Sequence, residues 1–315
     1  MNPLSALYGA AVGVRNGLYE RGMMTVRRLE SPVVSIGNLT VGGSGKTPFL
    51  ICLGELLEQR GIAFSVLSRG YRRKTQGVAI VDPNGSASEF GDEPLIIARK
   101  LGVPVVIGED RHQAGETAEA TFGSQLHLLD DGFQHRRLAR DFDIVLVTPT
   151  DSQDSLLPSG RLREPIASLA RADAIVLTND TPANGLGPQN QLVWRVRRDI
   201  AAPAAKEPCI AFCGIARPEN FFSQLKVAGV VLAGTQSFRD HHRYTDADVA
   251  DLLRLRQQKG ARAFVTTEKD AVNLATNLPV LQPIHIVPVR MNLENPEAAL
   301  DAMLATIARR KQPPT

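Results

Sequence analysis

The chain has 315 residues, of which 43% are apolar, 22% charged and 5% aromatic, with a formal net charge of +3. That composition belongs to a globular protein with a real core and room for about two domains at roughly 150 residues each. The weak positive balance, with no RNP-like stretch, no metal-finger spacing and no block of like charges, argues against nucleic acid as a partner.

Residues 3–24 carry Leu4, Leu7, Tyr8, Ala11, Val14 and Leu18 at helical spacing, with Arg15, Arg21, Arg27 and Arg28 close by. Such an amphipathic helix suits packing on its own domain, and equally suits lying in a membrane interface with arginines near anionic headgroups. No apolar stretch reaches the roughly 18 to 20 residues of a transmembrane helix, and the start lacks the three-part pattern of a signal peptide.

From residue 32 short apolar runs alternate with helical stretches. Strands are predicted over 32–36, 62–67, 103–107, 126–129, 144–147 and 174–178, with a glycine-rich turn and a helix over 46–59 after the first. Nearly continuous apolarity marks strands covered on both faces, so the pattern predicts a parallel α/β sheet. Residues 179–191 read as a polar linker. Beyond it, 210–212, 227–232, 263–266 and 285–289 are predicted strands of a second, smaller α/β domain, and 309–315 a frayed end. The expected division is 1–30 for the amphipathic helix, 31–195 for a P-loop NTPase-like core and 196–315 for the smaller domain. Cys52, Cys209 and Cys213 form no disulfide framework; Cys209 and Cys213 sit in an apolar run that reads as buried strand. A reducing, cytoplasmic compartment is expected.

Gly37-Asn-Leu-Thr-Val-Gly-Gly-Ser-Gly-Lys-Thr47 follows a strand and opens a helix, as a phosphate cradle must. Its glycines let backbone N–H groups of residues 41 to 47 (Val41, Gly42, Gly43, Ser44, Gly45, Lys46 and Thr47) curl around phosphate oxygens. Lys46 would reach the β- and γ-phosphates of ATP, and the Thr47 hydroxyl would ligate Mg²⁺. Thr40 stands where the full consensus has glycine. A carboxylate at the end of a neighbouring strand is then expected for the metal, and Asp130 and Asp131 close an apolar run. Their competing role is to cap an Asp-Gly turn.

Phosphoryl transfer also needs the acceptor's proton removed. Asp92 and Glu93, before Pro94, are adjacent acids that also suit a helix start. Asp240-His241-His242 holds an Asp-His unit within what could equally be a solvated turn. Thr266 to Asp270 fits a helix cap or a polar loop lining a cleft. Basic residues of 69–74 and Arg161 and Arg163 recur where an anionic substrate could sit.

Taken together, Thr40-Val-Gly-Gly-Ser-Gly-Lys-Thr-Pro48, Ser68-Arg-Gly-Tyr-Arg72, Gly91-Asp-Glu-Pro94, Asp130-Asp-Gly-Phe-Gln-His135, Leu157-Pro-Ser-Gly-Arg-Leu-Arg-Glu-Pro165, Asp240-His241 and Thr267-Glu-Lys-Asp270 resemble the tetraacyldisaccharide 4'-kinase family over nearly the whole chain. The resemblance implies transfer of the ATP γ-phosphate to the 4'-hydroxyl of an acylated disaccharide 1-phosphate, in lipid A biosynthesis. It implies peripheral attachment at the cytoplasmic face of the inner membrane, and Thr40 matches the family's loop. It assigns the 40–47 loop to ATP, Asp92 as base with His241 its partner, Lys46 and Thr47 to phosphate and metal, Glu93, Asp130 and Asp131 to the metal site, and Arg72 to a substrate phosphate. Outside the resemblance, a P-loop kinase of a soluble small molecule and a nucleotide-gated binding protein stay open.

Overall fold

The structure, a computed structural model, describes residues 2–178, 181, 191–201 and 207–311. Helix α1 (Pro3–Glu20) leads into β1 (Val33–Asn38), α2 (Lys46–Gln59), β2 (Phe64–Ser68) and β3 (Ala79–Ile80). There follow α3 (Ala87–Phe90), α4 (Asp92–Leu101), β4 (Val105–Ile107), α5 (Arg111–Phe122), β5 (Leu126–Asp130), β6 (Phe142–Val147), β7 (Ala174–Thr178) and β8 (Leu192–Ile200). A second sheet then forms from β9 (Cys209–Cys213), β10 (Leu232–Ser237), β11 (Ala263–Thr267) and β12 (Ile284–Val287), with α6 (Pro218–Val227), α7 (Asp246–Gln258) and α8 (Glu268–Leu274) between its strands. Strand β13 (Val289–Leu293) and α9 (Pro296–Lys311) close the described chain.

Among the described residues the larger sheet runs β13-β8-β7-β6-β1-β5-β2-β4-β3 and the smaller β10-β9-β11-β12. Only β3 and β13 run antiparallel to their neighbours, both at sheet edges. The expected α/β architecture, with a large parallel sheet and a smaller one, is therefore present. The central strands β1, β2, β5, β6 and β7 are buried along their whole length, which is why they read as continuous apolar runs. Helices α2, α4 and α9 bury Phe49, Leu53, Leu95, Leu300 and Met303 against one face, while Leu29, Ala114 and Leu138 pack on the other. Cys209 and Cys213 are buried in β9, and all three thiols are free.

Two expectations change. The division at 195/196 falls inside β8, and β8, β13 and α9 all belong with the larger sheet. The smaller sheet is thus an insertion between two paired strands rather than a C-terminal domain. The strand expected over 227–232 begins only at Leu232, because Val227 ends α6 and Gly229, at φ +82°, turns the chain. Most of the linker expected over 179–191 lies outside the described residues, as do 312–315; Arg309 to Lys311 continue α9.

Candidate active site

A cavity of about 780 Å³ opens where the carboxyl ends of strands from both sheets meet, the usual ligand position for parallel α/β sheets. Its wall includes Val41 to Thr47, Ser68, Asp92, Glu93, Arg111, Asp130 and Asp131 from the larger unit. The smaller unit contributes Ala216, Asp240, His241 and Lys269.

The 41–47 loop leaves β1 with Val41 N donating to Arg161 O at 2.9 Å. Gly42, Gly43 and Gly45 take φ of +73°, +61° and +86°. Gly45 caps α2 with no side-chain hydrogen bond, so the first-turn N–H groups of α2 face the cavity unclaimed by a cap, a suitable seat for an anion. A Cβ on Gly45 would fall 2.2 Å from the Met291 methyl of β13, so that strand supports the loop from below. Thr40 does not line the cavity. Its buried hydroxyl accepts from Asn38 Nδ2 at 3.1 Å and its backbone bridges Leu162, which places it behind the loop and explains why glycine is not needed there.

Lys46 Nζ donates to Asn38 Oδ1 at 3.0 Å and lies 3.4 Å from Asp131 Oδ1. Arg163 forks onto both Asp131 oxygens at 2.8 Å and also reaches Asn38. Partial burial raises the Asp131 carboxyl, but Lys46 and Arg163 outweigh it and hold the group well below the usual carboxylate range. Asp131, at φ +49°, is therefore an ion-pair partner for Lys46 and Arg163.

Asp130 differs sharply from its neighbour. It accepts from Ser68 Oγ at 2.9 Å on one oxygen, while Oδ1 is buried without a partner. Burial, then the charges of Glu93 and Asp131, push its carboxyl up to about 7. A buried carboxylate oxygen with nothing to bind fits a cation position. Among the described residues no three of His, Cys, Asp and Glu converge as a preformed metal cage.

Across the cleft, Gly91 at φ +91° starts α4 and turns Asp92 inward, where it is 4% exposed. Asp92 Oδ1 accepts from Glu93 N at 2.9 Å. His241 Nδ1 stands 2.8 and 3.1 Å from the two Asp92 oxygens, and Asn273 Nδ2 donates to Oδ2 at 3.1 Å. Burial raises the Asp92 carboxyl, but the His241 hydrogen bond and the Lys269 charge prevail and hold it at about 2. His241 itself adopts φ +56°, a conformation that needs support. Its N–H donates to Gly214 O at 3.1 Å, and Arg72 Nη1 donates to the carbonyls of Asp240 and His241, both at 3.0 Å. Arg72, expected on a substrate phosphate, lines the cavity and gives its Nη1 to the loop that carries the histidine. His242 turns away, onto Asp248 at 3.1 Å and against the Phe238 ring.

Four groups were not singled out as site residues from sequence. Lys269 and Asn273, on α8, face Asp92 and His241; of the two readings of 266–270, helix cap or polar loop, Thr267 does cap α8, and their spacing of four was the available signal of a shared helix face. Asn38 ends β1 beside Lys46. Arg111 begins α5 with its buried Nε unpartnered, its two Nη1 bonds going to Gly108 O and Glu109 O. Burial, then Arg69, lower the Arg111 guanidinium to about 10, and burial with Arg111 lowers nearby His135 to about 4.

The family model described as "Tetraacyldisaccharide-1-P 4'-kinase" matches residues 1–308. A tetraacyldisaccharide 4'-kinase of Koribacter versatilis is 48% identical, over 99% of this chain and all of that one. One from Geobacter metallireducens is 38% identical over 96% of each chain. The crystal structure of LpxK from Aquifex aeolicus in complex with ATP superposes with a TM-score of 0.79 at 32% identity, covering 97% of this chain and 98% of that one.

Proposed function

The chain belongs to the tetraacyldisaccharide-1-P 4'-kinase family, and on that premise we infer that its cleft passes the ATP γ-phosphate to the 4'-hydroxyl of a tetraacyldisaccharide 1-phosphate, a step of lipid A biosynthesis. The protein is an ATP-dependent phosphotransferase. The observation that carries the reading is that the Val41–Thr47 cradle and the Asp92–His241 pair open into one cavity from opposite sides.

The loop and the N-terminus of α2 hold the phosphate chain, and Lys46 leaves Asn38 and Asp131 to reach its terminal oxygens. Arg163 then retains Asp131. Asp92, ionised at neutral pH, accepts the proton of the attacking hydroxyl as its oxygen bonds to the γ-phosphorus. His241 orients that carboxylate by donating from Nδ1. Thr47, Asp130 and Glu93 are the residues that would hold Mg²⁺, with Asp131 alongside; the ion neutralises charge on the moving phosphoryl group when bound.

Attachment to the membrane is part of the same proposal. Helix α1 docks through its polar side: Ser5 Oγ donates to Leu156 O, Tyr8 OH to Arg163 O at 2.9 Å and Asn16 to Glu164 at 2.8 Å. Leu4, Leu7 and Val14 are left 60%, 69% and 65% exposed on the other side. Among the described residues no helix is long and apolar enough to cross a membrane. The exposed face, with Arg15 and Arg21 beside it, suits the interface where an acylated substrate resides, on the cytoplasmic side where ATP is found.

The test is transfer of labelled γ-phosphate from ATP to a tetraacyldisaccharide 1-phosphate in detergent micelles. Product is expected with the wild type and none with Lys46→Ala. ATP hydrolysis without lipid product would refute the assignment of substrate.

A further inference from the structure

We propose that Lys269 is a positioning residue for the transfer: it fixes the tautomer and ring orientation of His241 and so leaves Asp92 as the sole proton acceptor of the pair. Its Nζ lies 3.1 Å from His241 Nε2 and 3.1 Å from Asp240 Oδ1, with Glu93 at 3.6 Å and Asp92 at 3.9 Å. A lysine ammonium has three donors and no acceptor. The Lys269–His241 contact is therefore a hydrogen bond only if Nε2 offers its lone pair. That places the imidazole proton on Nδ1, which lies against the two Asp92 oxygens, and it makes the ring neutral.

This arrangement decides where the proton goes. Nε2 has its lone pair engaged by Lys269, and Nδ1 already carries a proton, so neither nitrogen can take another while Lys269 is in place. When the acceptor oxygen forms its bond to the γ-phosphorus, the bond from that phosphorus to the β,γ-bridging oxygen breaks. The hydroxyl proton passes to an Asp92 oxygen, and ADP leaves with the electron pair. The ring's part is to hold the carboxylate still by donating to it.

The placement of Lys269 comes from its helix. Thr267 caps α8, its side chain accepting from Asp270 N at 3.2 Å, which sets Lys269 in the first turn and Asn273 one turn further on the same side. Asn273 donates to Asp92 Oδ2 while Lys269 donates to His241, so one helix orients both members of the pair. Asp270 points the other way and accepts from Gly214 N at 2.7 Å and Tyr244 OH at 2.8 Å, tying α8 to the loop that bears His241.

The inference rests on Asp92 being the base, and the two can fail separately. The first measurement is the nitrogen-15 spectrum of the histidine rings in the full-length wild type at neutral pH, with His241→Gln identifying the resonance. A neutral ring protonated at Nδ1 is expected; a proton on Nε2 overturns the proposal without any substitution at Lys269. In Lys269→Met a ring protonated on both nitrogens should appear, kcat should fall about 10- to 100-fold, the loss seen when an outer-shell partner of a metal ligand is removed, and the KM for ATP should stay nearly unchanged. Lys269→Arg, which restores a donor, should recover part of kcat. An unchanged kcat in Lys269→Met, or a loss confined to the KM for ATP, overturns the assignment. Full activity in Asp92→Ala would instead remove the base on which it rests.

Discussion

Asp130→Asn separates the two acids that follow β5 by their response to pH. The ordinary Asp value is 3.8, and burial with the Glu93 and Asp131 charges carries Asp130 to about 7. A carboxyl raised on folding contributes stability that is fully present below the unfolded value and is lost as pH rises through the folded one. At about 1.4 kcal/mol per tenfold, the gap amounts to about 4 kcal/mol lost between about pH 4 and 8. Asparagine keeps the Ser68 hydrogen bond and the volume but has no charge to bury. In metal-free buffer the variant should match the wild type near pH 4 and exceed it at pH 8, by about 6 °C in melting temperature for a chain of this size. Added Mg²⁺ should raise the wild type above pH 7 by more than it raises the variant, because a ligand of the folded state stabilises it by mass action and the variant has lost one charged ligand. Scanning calorimetry across that range, with chelator and with Mg²⁺, makes the comparison. Parallel curves for the two proteins would show that Asp130 ionises without penalty and that its unpartnered oxygen is no cation position.

Asp92→Ala should lower kcat by about 10²- to 10⁴-fold with little change in ATP affinity, measured by steady-state transfer and by nucleotide titration; collapse of ATP binding would place Asp92 in the metal site. Replacing Leu4, Leu7 and Val14 together by serine should weaken sedimentation with anionic vesicles while leaving the fold intact. The Ser5, Tyr8 and Asn16 contacts that dock α1 remain. Unchanged vesicle binding would remove α1 from the interface.

The central strands and α2 were legible because burial on both faces writes itself into local composition, and the cradle because its glycines must stand at fixed positions before Lys46. Strand β8 was not. It carries Arg195, Arg197, Arg198 and Asp199 and is only intermittently buried, so its run resembles surface chain. What makes it a strand is pairing on both sides, with β7, as in Val176 with Trp194, and with β13 across some ninety residues, as in Asn292 with Arg197, and no local pattern records that. The Asp92–His241 contact spans 149 residues in sequence and was reached through family resemblance rather than spacing. Lys269 and Arg72 show the remaining limit. Both were visible as basic residues in marked motifs, yet whether such a group meets a substrate phosphate or a neighbouring loop depends on how two sheets face each other.

The pairing of β8 with β13 also bears on how the molecule is made. During synthesis the cradle, the acids after β5 and the whole inserted sheet leave the ribosome before β13 does. Met291, whose methyl lies against Gly45, and α9, which buries Leu300 and Met303 in the main core, emerge after all of these. A nascent chain therefore carries every motif of the kinase for some time before the floor beneath its phosphate loop exists. A chain that ends before residue 289 would keep the signature residues and lose the Met291 contact beneath Gly45.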